Sequence, residues 1–204
     1  MQPGHHPRYC PPVLLPGNRS EPWAFAADLQ GLLQEYGDAA LALSMFEEAY
    51  EVDWPAGLER RFVFLFARMF IQATDMFGRR LRQLQDRYPS SSDDIDDAFR
   101  TALPELRGVR NSIQHADERS LGLGSGRRPI VPGPVETPAI RSSGGAMFQD
   151  VLEDDWYGCT LEDGTFGRIQ VARRTLDLLH GFVQRAVALG TWSGTPEPWP
   201  RARR

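Results

Sequence analysis

The stretch Phe62, Val63, Phe64, Leu65, Phe66, Ala67, Arg68, Met69, Phe70, Ile71 is apolar at nearly every position. It continues through Met76, Phe77, Leu81 and Leu84 at three- and four-residue spacing. This period predicts a helix from Pro55 to about Tyr88. A helix that is apolar on almost every side needs neighbours on all of them, so it belongs at the centre of a bundle or in a subunit interface.

Upstream, Ser20-Glu21-Pro22-Trp23 reads as a helix start, with serine as cap and proline in the first turn. Trp23, Ala27, Leu29, Leu32 and Leu33 then form an apolar stripe, and Gly37-Asp38 is expected to break that helix. A second stretch carries Ala39, Leu41, Leu43, Met45, Phe46 and Tyr50 up to Asp53-Trp54-Pro55, where aspartate can cap and proline can open the long helix.

Downstream, Pro89 to Asp93 reads as a loop ending in a cap. Ile95, Phe99, Leu103, Leu106, Val109 and Ile113 predict a further helix, with Pro104 permitting a break or kink. From Leu121 to Gly145 the chain is rich in Gly, Pro and Ser and is read as a long loop. Met147 to Leu152, Trp156 to Leu161 and Thr165 to Val171 read as short strands, with Glu162-Asp163-Gly164 as the hairpin turn and Glu153-Asp154 at the first turn. Alternation puts Tyr157, Cys159 and Leu161 on one face, and Ile169 with Val171 on one face. A last helix from about Thr175 to Leu189 repeats Leu176, Leu179, Phe182, Val183, Ala186 and Val187, and Gly190 ends it.

The expected fold is therefore mainly α: a helical bundle of about five helices with a small antiparallel β-meander inserted before the last helix. Residues 1–20 form a Pro-rich leader expected to be disordered. Residues 21–190 form one domain, with loop 121–145 and β insert 146–172, and residues 191–204 are a tail. At 204 residues and 41% hydrophobic the chain can bury one substantial core, but not two large ones. Its formal net charge of -4 disfavours a protein that coats nucleic acid by bulk attraction. The two cysteines, Cys10 and Cys159, fit neither a disulfide framework nor a metal pair. No signal-peptide pattern and no run of about 18 apolar residues is present, so the reading is a cytoplasmic protein without a membrane span.

The chemistry concentrates in Arg107-Gly108-Val109-Arg110-Asn111-Ser112-Ile113-Gln114-His115-Ala116-Asp117-Glu118-Arg119. A guanidinium presents a planar fork of donors that fits phosphate oxygens, and an imidazole titrates near neutrality. Together they can grip a phosphodiester and move a proton beside it without a metal. Asn111 and His115, at i and i+4, are helical neighbours, so the amide can orient the imidazole. The apolar stripe of the helix leaves Arg107, Arg110, Asn111, Gln114 and His115 largely off the core face. The same residues also fit a solvated helix end, with His115 favoured by the C-terminal dipole and Asp117 capping locally.

Arg110-Asn111-Ser112-Ile113-Gln114-His115 resembles the hallmark of the HEPN superfamily, an arginine followed by a polar residue and, four to six residues on, a histidine. The continuation Ala116-Asp117-Glu118-Arg119 is similar to a variant seen in bacterial members. The resemblance covers the helical parts, about Ser20 to Arg119 and the last helix, but not the strands. It implies a metal-independent endoribonuclease of toxin or phage-defence type, or a catalytically inactive relative that binds RNA, a nucleotide or a protein. Carried over, Arg110 holds the scissile phosphate, His115 transfers the proton, and Asn111 orients His115 or binds the backbone. Arg107, Gln114 and Arg119 are the expected RNA contacts. The resemblance also implies a homodimer that pairs two motifs, an antitoxin or defence-system partner protein, and no cofactor.

Other candidates are weaker. His5, His6 and Cys10 supply metal-ligand types without a fourth partner, so no metal site is expected. His180 stands alone. Asp93 to Asp97 reads as a helix N-terminus, and Gly122-Leu123-Gly124-Ser125-Gly126 lacks the flanking strand and helix of a nucleotide loop.

Overall fold

The computed structural model describes residues 13–14, 22–52, 55, 59–88, 94–189 and 192–193. The molecule is mainly helical, with a small meander before the last helix. Helices α1 (Pro22–Glu51) and α2 (Glu59–Arg87) pack side by side. They run antiparallel, because Arg87 near the end of α2 reaches Asp28 near the start of α1 at 2.6 Å. Their shared interior buries Leu29, Leu32, Leu43 and Phe46 against Phe70, Ile71, Phe77 and Leu81.

The predicted break at Gly37-Asp38 is not taken, and α1 runs unbroken through both residues. Both are exposed, while Ala39, Ala42, Leu43 and Phe46 continue the stripe that Phe25, Leu29 and Leu32 begin. A glycine costs a helix roughly 1 kcal/mol relative to alanine. Burying one aromatic and several aliphatic side chains outweighs that.

Helix α3 (Ile95–Ala102) is capped by Asp94, whose Oδ1 accepts the amide of Asp97 at 2.8 Å. That bond, and one from Gln85, hold the Asp94 carboxyl below its usual range. The expected interruption at Pro104 occurs: α3 stops at Ala102, and α4 (Leu106–Gln114) starts after it. A second interruption falls at His115, where one reading of the sequence placed a helix end, and separates α5 (Ala116–Ser120). The last helix, α6 (Arg173–Ala188), buries Leu176, Leu179, Phe182, Val183 and Ala186 as expected. Gly190, Ser20, Asp53 and the metal-ligand types His5, His6 and Cys10 lie outside the described residues.

Of the leader and the tail, only β1 (Val13–Leu14) and β7 (Trp192–Ser193) are described, and they pair antiparallel. The long loop contains a two-residue hairpin, β2 (Val135–Glu136) with β3 (Arg141–Ser142). The meander is β4 (Val151–Glu153), β5 (Trp156–Thr160) and β6 (Phe166–Gln170), in that order. Its second turn falls where the sequence placed it: Leu161 N donates to Thr165 O at 2.8 Å, and Gly164 takes φ +84°. The inner face delivers Tyr157, Cys159, Ile169 and Val171 to the helical core. Among the described residues, no helix is long and apolar enough to cross a membrane.

Two expected outcomes follow from this packing. Burial pushes the Cys159 thiol up to about 12, so at pH 8 its thiolate is about a thousandfold scarcer than that of a free cysteine. In a Cys10→Ser chain, a thiol reagent should leave the native protein unmodified for hours and modify one equivalent in guanidinium chloride; prompt native labelling would contradict this burial. Gly78 has no room for a side chain, because a Cβ there would lie 2.4 Å from Phe99 Cε1. Phe99 is itself held by Phe77 and Phe182. Gly78→Ala should therefore destabilise the fold by about 1–3 kcal/mol in denaturant unfolding.

Candidate functional site

The segment singled out by the sequence lies on α4, gripped from two sides. On the meander side, Ser112 Oγ donates to Thr160 O at 3.1 Å. The amide of Arg168 donates to Glu105 Oε2 at 2.8 Å. Gly108 admits Leu161, whose Cδ1 would be 3.0 Å from an added Cβ. On the α2 side, Leu106 and Val109 enter the core.

Beside these apolar contacts runs a polar ladder between α2 and α4. Asp75 Oδ2 lies 2.9 Å from Arg110 Nε and 2.9 Å from Arg79 Nε. The Arg110 and Asp75 side chains are only 10% and 9% exposed. The Arg110 approach lies off the hydrogen-bond axis, so this is a charge contact rather than an aligned hydrogen bond. Arg110 Nη1 donates to Gln114 Oε1, and Gln114 Nε2 donates to Gln72 Oε1 at 3.2 Å. Burial raises the Asp75 carboxyl above its ordinary value, while the Arg79, Arg107 and Arg82 charges oppose the shift.

The structure thus joins Arg110 to Gln114 directly, and places Arg107 close enough for its charge to act on Asp75. Arg110 differs from its expected place off the core face. It lies four residues after Leu106, on the side of α4 that α2 covers, and it is buried because Asp75 compensates its charge. Arg107, Gln114 and His115 are exposed as expected, and Asn111 is half-buried.

His115 occupies the junction of α4 and α5, with φ -110° and ψ 36°, and its side chain is 56% exposed. Its amide donates to Asn111 O at 3.0 Å. Its Nδ1 lies 3.6 Å from Glu118 Oε2. Among the described residues no side-chain hydrogen bond links Asn111 to the imidazole; the contact between the two residues is through the backbone. Arg119 is buried, donates from Nη1 to Leu123 O at 2.6 Å, and lies 3.9 Å from Glu162. It therefore supports the start of the long loop.

Gln72, Asp75 and Arg79 are site residues that reading the sequence passed over. A signal was present: Asp75 lies four residues after Ile71 and two before Phe77, at a core position of an apolar helix. A charge in that register needs a buried partner. Asp150 fixes the meander to α2: Arg68 donates to both carboxylate oxygens, with Nε to Oδ1 at 3.1 Å, and the Tyr157 hydroxyl donates to Oδ1. Burial first, and then Asp150, raise the Tyr157 hydroxyl, so it stays a donor. Gln149 Nε2 reaches Ala116 O at 3.4 Å and ties the meander to the start of α5.

Among the described residues, no three His, Cys, Asp or Glu side chains gather as a metal-ligating cluster. The chain matches no protein-family model, no curated protein and no solved structure.

The ladder makes an asymmetric prediction. Without Asp75, Arg110 would keep only an amide partner for a buried charge, whereas without Arg110, Asp75 would keep Arg79. Asp75→Ala should therefore cost about 3 kcal/mol and Arg110→Ala about 1–2 kcal/mol. Urea unfolding of the two variants checks the order, and equal losses would show that the pair is not shared in this way.

Proposed function

We propose that this chain is a HEPN-like, metal-independent endoribonuclease of toxin or phage-defence type, acting as a cytoplasmic homodimer. The observation that carries the reading is the pairing of a buried, partnered guanidinium with an exposed imidazole. Arg110 is held from behind by Asp75 and Gln114, and five residues on, the exposed His115 sits where the helix breaks.

In this reading Arg110 stabilises charge developing on the scissile phosphate. In this arrangement Nδ1 lies 3.6 Å from Glu118 and Nε2 is the nitrogen that faces the substrate. His115 takes the proton of the ribose 2′-hydroxyl, the 2′-oxygen attacks phosphorus, and the bond to the 5′-oxygen breaks. A 2′,3′-cyclic phosphate remains on the upstream fragment, and the departing 5′-oxygen takes up a proton. Asn111 binds the backbone beside this site, and Arg107 provides the exposed cation next to it. Leu65 and Met69, one turn apart on α2, remain 46% and 43% exposed. Such an apolar strip supports a second copy bringing its own motif alongside. An antitoxin or defence-system protein is the expected regulatory partner.

One observation favours a second reading, an inactive HEPN-like module that binds RNA, a nucleotide or a protein. Arg110 is largely buried and its charge already faces a carboxylate, which is also the arrangement of a purely structural ion pair.

His115 separates the two readings, because an exposed side chain can be removed without disturbing the core. Wild type and His115→Ala are incubated with total RNA and tRNA in EDTA, and fragment ends are analysed. Wild type should cleave to 2′,3′-cyclic phosphate ends, and the variant should be slower by about 10²–10⁴-fold with an unchanged unfolding midpoint. Two folded, dimeric and inactive proteins would establish the second reading.

A further inference from the structure

We propose that Arg79 and Arg107 form a second phosphate subsite beside Arg110, binding the phosphate that neighbours the scissile one along the seam between α2 and α4. The proposal rests on the reading above for the scissile position, but its geometry is independent of cleavage.

The two helices run in opposite directions at this seam. Gln72 faces Gln114 and Asp75 faces Arg110, so one further step places Arg79 alongside Arg107. Arg107 precedes Arg110 by three residues, and side chains at that spacing are neighbours on a helix, with Cβ atoms about 5–6 Å apart. Adjacent phosphates of a single strand are separated by a comparable distance. Arg79 Nε lies 2.9 Å from Asp75 Oδ2, and no hydrogen bond from the terminal Nη nitrogens of Arg79 is seen among the described residues. Those nitrogens form the fork that recognises a phosphate. Arg107 is exposed and has no ion-pair partner among the described residues.

The charges agree. Three guanidiniums, from Arg79, Arg107 and Arg110, surround a single buried carboxylate, leaving two positive charges uncompensated. Asp96 on α3 is paired with Arg82 at 3.0 Å and lies 3.9 Å from Arg100, and Glu105 accepts the Arg168 amide at 2.8 Å. An acidic protein with net charge -4 thus holds a local excess of positive charge beside Arg110. A strand of phosphodiesters fits a line of two such sites, whereas an isolated phosphate would occupy only one.

The test uses the full chain and a fluorescein-labelled 2′-O-methyl hexauridylate, which lacks the attacking hydroxyl and is bound without being cut. Affinity is measured by fluorescence anisotropy between 20 and 200 mM salt for wild type, Arg79→Gln, Arg107→Gln and Arg87→Gln. Arg87, on α2 but paired with Asp28, is the control. Arg79→Gln and Arg107→Gln should each weaken binding about 5–10-fold at 50 mM salt and lower the slope of log K against log salt by about 0.7, with Arg87→Gln unchanged. Arg107 pairs with no acid, so its variant keeps the fold even if Arg79→Gln loosens Asp75. Unchanged affinities in Arg79→Gln and Arg107→Gln would overturn the subsite while leaving His115-dependent cleavage intact. The expected losses in a protein that cleaves nothing would keep the subsite and overturn the endoribonuclease reading. No binding by wild type at 20 mM salt would overturn both.

Discussion

A carboxylate buried in an apolar helix constrains everything around it. Asp75 sits between Ile71 and Phe77 on α2, and its Oδ2 is inaccessible. An unpaired charge there would cost several kcal/mol, so the fold must deliver a cation to that point. Arg79, one turn along the same helix, supplies one. Arg110 supplies the other from α4, and because it can reach only in one register, the ion pair fixes how far α4 slides along α2. The Gln72–Gln114 contact then lies one turn away with the correct spacing.

The meander provides the opposite jaw. Ser112, Glu105 and Gly108 meet β5, β6 and the turn between them, so α4 is bracketed between α2 and the sheet. The sheet is in turn anchored to α2 by Asp150, which binds Arg68 and Tyr157 and adopts φ +50° to do so. A non-glycine residue in the left-handed region is held there by its surroundings, and here two side chains from two elements hold it. An insert before the last helix thereby becomes part of what positions the motif.

Much of this was legible from apolar spacing. The centrality of α2, the kink at Pro104, the strand faces and the last helix follow from periods of 3.6 and 2. What failed was local punctuation weighed without tertiary context. Gly37-Asp38 looks like a stop, yet the stripe keeps its phase across it, and packing prevails over propensity. The apolar stripe of the motif's helix, taken alone, puts Arg110 off the core face, whereas the structure buries it against Asp75. Its position four residues after Leu106 and one after Val109, matched with Asp75 four after Ile71, marks two charges in core register. Such pairs can be sought in sequence as charged residues that share an apolar stripe on two different helices.

For the proposed pairing of Arg110 with His115, a straight helix would pose a difficulty. Five residues at about 100° each would turn His115 by roughly 140° from Arg110, so the two side chains could not face one phosphate. The backbone leaves helical geometry at His115, with φ -110° and ψ 36°. Beyond it, Glu118 of α5 lies 3.6 Å from the imidazole, and Gln149 ties the start of α5 to the meander. Arg110 is buried against Asp75 and Gln114, while His115 is exposed where α4 ends. A charge-stabilising group gains from being fixed before the reaction begins, while a group that must take up a proton and release it gains from access to water. In the proposed reading, those opposite requirements fall to a buried residue and an exposed one at the same helix terminus.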